Sequence, residues 1–255
     1  GLASGFDFLS KEAGFAIGFS LIPFAETDTY GRVFLVGLLN TALVALVSMV
    51  LATAAGIVIG IARVSAHPPT AAAAVVYVET WRNIPLLLQV LFWHQLLINA
   101  LPSVRQSLSA FGWFFLNNRG LVVPSLGLEA LPFPPTVIGF SLSATFIALL
   151  IASFSGKPSR SRTLASQTLA VVALAQVLVI ILGGRWERPA LSGFNFQGGV
   201  TLVPEFVALV VALVVYNAAF IAEIVRAGIE SVGRGQREAA KALGLRPALV
   251  MRLVI

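Results

Sequence analysis

The chain has 255 residues, 58% of them hydrophobic and only 11% charged, with no cysteine and a net charge of +6 from 17 Lys and Arg against 11 Asp and Glu. A soluble domain carries about 25% charged residues, and a mean hydropathy of +0.92 is more apolar surface than one soluble core buries. An ordinary globular enzyme is therefore excluded, and the bilayer is the solvent that this composition asks for. Without cysteine there are no disulfide frameworks, thiolate zinc sites or Cys nucleophiles.

In chain order, residues 1–30 read as an extracytoplasmic segment in which the alternation at Phe15, Ile17, Phe19 and Leu21 suits a half-buried strand. A transmembrane domain over 31–255 follows. Its apolar runs predict five helices at about 33–62, 71–101, 135–155, 163–183 and 204–224, each near the roughly 20 residues that a helix needs to cross the hydrocarbon. The period-2 alternation of a barrel strand is missing from these runs, which makes the fold class all-α, a polytopic helical bundle. Only Glu79 and Arg82 interrupt the second segment, and their i,i+3 spacing predicts a pair on one helix face.

Placing the loops alternately on two sides, with residues 1–32 on the first, gives the second side eleven basic residues against four acidic and leaves six basic against seven acidic on the first. By the positive-inside rule the second side is cytoplasmic. Trp81, Trp93, Trp113 and Trp186 fall near predicted segment ends, as interfacial anchors do. The chain begins at Gly1 on the outer side and stops at Ile255 just after Pro247 suits the first turn of a new helix, so it reads as a piece truncated at both ends.

Ser4-Gly5-Phe6-Asp7-Phe8 recurs as Ser192-Gly193-Phe194-Asn195-Phe196, and Gly18 to Pro23 matches Gly199 to Pro204 in chemical character. Two readings stand: a shared loop composition at a membrane surface, or two outer segments that pair as strands over 17–22 and 199–203.

Beyond the last apolar run, glycines at Gly233 and Gly235 break the helix, and a short one is expected from about Gln236 to Leu243, built of strong helix formers and capped by Gly244. Its small residues Ala239, Ala240 and Ala242 suit a close fit in a partner's groove, with Arg237, Glu238 and Lys241 at the rim. Glu238-Ala239-Ala240-Lys241-Ala242-Leu243-Gly244, preceded by Ile229 to Gln236, resembles the cytoplasmic coupling loop of ABC-importer permeases, here about 226–246. Ala222-Glu223-Ile224-Val225-Arg226, Gly37-Leu38-Leu39-Asn40-Thr41 and Tyr77 to Gln89, with its Arg82-Asn83-Ile84-Pro85, are similar to the amino-acid branch of that superfamily, nearest the permeases of polar or general L-amino-acid uptake. The stretch 102–184 is larger than the compact family core requires.

The resemblance implies a bundle of the type I ABC importer permease kind with a cytoplasmic coupling helix, in the bacterial inner membrane. It implies ABC ATPase subunits as partners, a second permease subunit that is the same or a paralogue, and a periplasmic substrate-binding protein that delivers the amino acid. ATP hydrolysis is then the work of a separate chain, which binds the ATP and Mg; this chain is no enzyme and holds no cofactor or metal, and no nucleic acid is a partner. The ATPase-coupling residues would be Gly235, Glu238, Ala239, Ala240, Leu243 and Gly244. The polar side chains Asn40, Thr41, Asn83, Gln89 and Asn217 in apolar helices are candidates for the translocation path, with helix–helix hydrogen bonding as the other reading for each. His67 reads as solvated, and His94 as an interior hydrogen-bonded residue or a substrate ligand. The rival class is an ion-coupled secondary transporter working without an ATPase. It is disfavoured because the segments carry carboxylates only near their cytoplasmic ends, at Glu79 and Glu223.

Overall fold

A computed structural model of the chain describes residues 5–127, 135–154 and 160–244. Among the described residues seven α-helices follow in order: α1 (Tyr30–Arg63), α2 (Pro68–Asn83), α3 (Leu86–Ala100), α4 (Pro135–Phe154), α5 (Arg160–Gly183), α6 (Pro204–Ser231) and α7 (Arg234–Ala242). The chain forms two units, one of Gly1–Ser103, Asn117–Gly120 and Leu202–Ile255, the other of Val104–Leu116 and Leu121–Thr201. Among the described residues, three helices are long and apolar enough to cross a membrane: α1, Thr163–Gly183 within α5, and α6.

In the first unit, proline sets the helix starts. Pro68 occupies the first turn of α2 and Pro204 that of α6, positions where a missing N–H costs nothing. Pro85 has the opposite effect on the segment 71–101, which the sequence reads as one helix. Ile84, immediately before it, is extended at φ −89° and ψ 125°, as the residue before a proline prefers to be. The segment is therefore two helices, α2 and α3.

Many of the buried positions of this unit are small. Along α1 they fall at Val36, Val44, Ser48, Ala52, Gly56 and Gly60, an i+4 ridge on one face. On α6 they include Ala208, Ala212, Ala218, Ala219 and Ala222, all at 0% exposure. The two ridges meet, and α1 packs more extensively on α6 than on any other element. Leu38, Met49, Val58 and Ile224 point outward instead. A soluble protein buries its large apolar residues; here they face out and the backbones close on glycine and alanine, the arrangement of helices packed in lipid.

The second unit holds α4, α5 and most of the strands. These are β1 (Leu108–Ala110), β2 (Phe114–Asn117), β3 (Gly120–Val123), β4 (Ser125–Gly127), β5 (Arg185–Glu187), β6 (Ala190–Ser192), β7 (Asn195–Gln197) and β8 (Val200–Leu202). They form a four-stranded sheet in the order β1-β2-β3-β8 and two antiparallel two-stranded ladders, β4 with β5 and β6 with β7. The β4·β5 ladder starts where α5 ends, and Trp186 Nε1 donates to the Ile181 carbonyl at 2.9 Å. The turn between β1 and β2 carries Phe111 at φ 54° and Gly112 at φ 67°, with Arg188 Nε donating to the Gly112 carbonyl at 2.6 Å.

These strands correct the all-α expectation: the chain is mostly helical, but the segments on either side of α4 and α5 are short strands. The sequence hides them because each runs for only three or four residues, too short for alternation to register. The expected pairing of 17–22 with 199–203 is also overturned. No strand forms at 17–22; β8 lies beside β3, and the Phe19 carbonyl accepts from the Asn40 side chain. The echoed motifs differ as well. Gly193 takes φ 65° in the β6–β7 turn, whereas Gly5 has φ −101° and precedes a 3-10 turn at Phe6–Ser10. Ser4 and the helix expected from Pro247 lie outside the described residues.

A Cβ on Gly56 would stand 2.6 Å from Ile221 Cβ and 3.0 Å from the Ala218 carbonyl oxygen, and one on Gly60 2.7 Å from Val225 Cβ and 2.8 Å from the Ala222 carbonyl oxygen. Backbone oxygens cannot swing aside, so the helices must part. Gly60→Ala should lower stability by about 1 to 3 kcal/mol, the usual cost of overpacking. Gly37→Ala, where nothing lies within 4 Å, should be neutral or slightly stabilising. Thermal unfolding of the two variants in the same detergent makes the comparison.

Candidate functional site

Three places in the first unit gather polar groups. The first is a groove of 410 Å³ beside the Tyr30 half of α1, lined by Asn40, Thr41, Phe19, Glu205 and Phe206 among apolar neighbours. Asn40 Nδ2 donates to the Phe19 carbonyl at 2.7 Å, which fixes the amide so that Oδ1 is buried without a partner among the described residues. The Phe19 and Phe206 rings are 5.0 Å apart. His94 Nε2 on α3 stands 3.6 Å from Glu205 Oε1 at the start of α6, so His94 reaches a carboxylate that the sequence alone does not pair with it.

The second place is the break between α2 and α3. Gln89 is 1% exposed, and its Nε2 donates to the carbonyls of Trp81 and Ile84 at 2.9 and 3.0 Å. These are carbonyls that the last turn of α2 leaves without helical donors. Trp81 stacks on Trp93 across the same break, with ring centroids 5.9 Å apart.

The third is the Arg63 end of α1, where α1, α2 and α6 converge. The Glu223 carboxylate on α6 accepts from Arg63 of α1 and from Arg226 one turn along its own helix. Arg82 of α2 lies 3.8 Å from Glu223 Oε2, with its guanidinium carbon 5.4 Å from the Phe220 ring centre. Arg226 also pairs with Glu230. The expected Glu79–Arg82 pair does not form: the packing of α2 on α6 offers Arg82 an aromatic face and a carboxylate together, and this outweighs a surface i,i+3 contact worth a few tenths of a kcal/mol.

Of the five residues proposed from sequence for a translocation path, Asn40 and Thr41 share the groove. The other three lie elsewhere: Gln89 closes the helix break, Asn83 Nδ2 donates to the Glu79 carbonyl at 2.6 Å and Asn217 Nδ2 to the Leu213 carbonyl at 2.8 Å, both on exposed helix surface. Phe19, Glu205 and Phe206 are groove residues that sequence reasoning missed, and Arg63 and Glu223 the pair it missed. A charged residue at the end of each of two apolar segments was the available signal, but partners 160 positions apart cannot be matched from spacing.

The proposed coupling residues lie on and beside α7. Gly235, Glu238 and Ala239 are exposed, Ala240 is buried, and Leu243 is 79% exposed. Gly244 follows at φ +70°, the left-handed conformation of a helix C-cap.

Small-residue helix seams, outward apolar side chains and spans of this length define an integral membrane protein. The chain is 43% identical over 260 residues to YhdX of Escherichia coli, a candidate amino-acid ABC transporter permease, covering 100% of this chain and 66% of that protein. It is 41% identical to the general L-amino acid transport system permease protein AapQ of Rhizobium johnstonii, over 99% of this chain and 64% of the relative. To the glutamate/glutamine/aspartate/asparagine transport system permease protein BztB of Rhodobacter capsulatus it is 38% identical, over 98% of this chain and 67% of the relative. The chain therefore belongs to the family of amino-acid ABC transporter permeases, and it spans about two thirds of the length of these relatives. No family model matches the chain, and no solved structure matches it.

Replacing Gln89 by Met keeps the volume but strips two buried carbonyls of their donor. Gln89→Met should cost about 1 to 3 kcal/mol and unstack Trp81 from Trp93, read as a red shift of tryptophan emission below the unfolding transition. Unchanged emission would mean that the break closes without Gln89.

Proposed function

We propose that this chain is the membrane-spanning permease part of an ATP-driven, type I ABC importer that carries polar or general L-amino acids across the bacterial inner membrane. The observation that carries the reading is the identity of 38% to 43%, over nearly the whole chain, to three proteins named as amino-acid permeases, one of a general L-amino-acid system and one of a glutamate, glutamine, aspartate and asparagine system. A periplasmic binding protein delivers the amino acid, a second permease subunit completes the pathway, and separate ATPase subunits bind ATP and Mg and hydrolyse the nucleotide.

On this reading α7 is the coupling helix. It is short, follows α6 after Val232 and Gly233, and presents Glu238, Ala239 and Leu243 outward, as a helix that seats in another protein's groove requires. Gly235 and Gly244 mark its two ends, and Ala240 is its inward face. Nucleotide-driven closure of the ATPase pair then moves α7 and, through α6, shifts the bundle between inward-open and outward-open states. Residues 105–129 and 185–203 lie outside the cell and 63–70, 157–162 and 226–246 inside, the sides that the Lys and Arg distribution assigns. Asn40 and Thr41 line the part of the path that the groove provides, with Asn83, Gln89 and Asn217 along other helix faces.

Two variants test the ATPase contact. Ala239→Asp adds a charge at an exposed, close-fitting position, and Gly244→Val forces a β-branched residue into the left-handed region. Both should insert into the membrane normally while binding-protein-stimulated ATP hydrolysis and amino-acid uptake in proteoliposomes fall tenfold or more. Normal hydrolysis and uptake in both would remove α7 from the interface, and failure of the wild-type chain to co-purify with any ABC ATPase subunit would remove the transport reading itself. Topology is checked separately: single cysteines at positions 119 and 160, in a chain with none of its own, should react with an impermeant reagent from outside intact spheroplasts only at 119.

A further inference from the structure

The Arg63 end of α1 carries a feature that amino-acid permeation does not by itself require. The α1·α6 seam sets Gly56 and Gly60 of α1 against the Ile221 and Val225 side chains and the Ala218 and Ala222 carbonyls of α6. Such a seam brings backbones close, and its contacts are van der Waals ones. Lipid tails are as apolar as the helices, so no hydrophobic force holds them together. A charge pair at the end of such a seam adds a directional contact that van der Waals packing does not supply.

At the end of the seam Arg63 meets Glu223. The Arg63 side chain is 11% exposed, and among the described residues its Nε is buried without a partner and its ion-pair partner is Glu223. Sliding α1 past α6 by one turn, about 5.4 Å, would leave this cation buried and unpaired, a costly state. The same carboxylate is approached by Arg82 of α2, and α2 is tied to α6 a second time by the Tyr77 hydroxyl, which donates to the Val215 carbonyl at 2.9 Å. Three helices therefore meet on one side chain, about two turns before α6 ends at Ser231 and α7 begins.

We propose that Glu223 is a positioning residue that fastens α1 and α2 to α6, so that movement delivered at the α6–α7 end reaches all three helices as one body. The inference rests on the transport reading for the source of that movement. It does not depend on it for the fastening. Loss of the carboxylate would let α6 respond to the ATPases while α1 lags, and hydrolysis would run on without transport.

The test uses the full-length chain with its partner subunits in proteoliposomes, with radiolabelled L-glutamate and L-glutamine as probes. In Glu223→Gln, uptake should drop at least tenfold while ATP hydrolysis stays within about twofold of wild type. Arg63→Gln should behave alike, and the double variant should be no worse than Glu223→Gln alone, since the buried Arg63 charge is then not left without its carboxylate. Equal loss of hydrolysis and uptake in Glu223→Gln, or multiplying losses in the double variant, would overturn the proposal.

A second measurement stands whether or not these variants assemble. Spin labels on cysteines at Ile61 and Ile224, both on outward faces, should report the same narrow distance in the wild-type background with and without trapped ATP. A distance that shifts between the two states would refute the rigid fastening even with transport intact. If the wild-type chain shows no ATP-driven uptake at all, the transport reading fails; labels in nanodiscs should still give a narrow distance for wild type and a broadened one for Glu223→Gln, and a narrow one in both would sink the fastening on its own.

Discussion

The close approach of α1 to α6 is the constraint on which the first unit is built. With glycine at positions 56 and 60, α1 lets the Ala218 and Ala222 carbonyls and the Ile221 and Val225 side chains come nearer than Leu or Ile there would allow, and α2 and α3 pack against α6 beside it. Dispersion between tightly fitted atoms is the attraction available in lipid, so the fit at the seam has to be close along its whole length. The pattern also explains the composition. Large apolar residues are needed on the outside, where the solvent is hydrocarbon, and small ones inside, the reverse of a water-soluble core.

Polar groups then appear where the seam cannot act. Near the Tyr30 end, Asn40 holds the Phe19 carbonyl and His94 approaches Glu205; in the middle of the α2–α3 segment Gln89 satisfies two carbonyls; at the other end Glu223 gathers three guanidinium groups. Each contact joins segments distant in sequence or closes a break in a helix. In a medium that offers no water to an unpaired group, a few such contacts weigh heavily in which arrangement of helices is the stable one.

Much of this was legible in the sequence. The apolar segments, the start of α1 near Tyr30, the short helix ahead of Gly244 and the left-handed cap at that glycine follow from hydropathy, helix formers and glycine placement. The amino-acid permease family was legible in the stretch from Glu238 to Gly244 and in Arg82 to Pro85. The strands of the second unit were not, because three-residue strands such as β4 and β5 carry no period to detect. Nor were the partners of Arg82 and Gln89. Local spacing offered Glu79 to Arg82, and polarity alone offered Gln89 as a lining group. Tertiary packing instead gave Arg82 the Phe220 ring and Glu223, and turned Gln89 inward to carbonyls that Pro85 had orphaned. Residues that answer to a neighbour in space rather than in sequence are the ones that pattern reading misplaces.

The broken second segment bears on how the chain spans a membrane. At 1.5 Å per residue, α2 with 16 residues and α3 with 15 are each about 24 Å long or less, short of the roughly 30 Å hydrocarbon layer. Neither half alone is long enough to span that layer, so the stretch depends on both halves together. The turn at Pro85, and the Gln89 amide that satisfies the Trp81 and Ile84 carbonyls there, therefore decide how far the pair reaches across it.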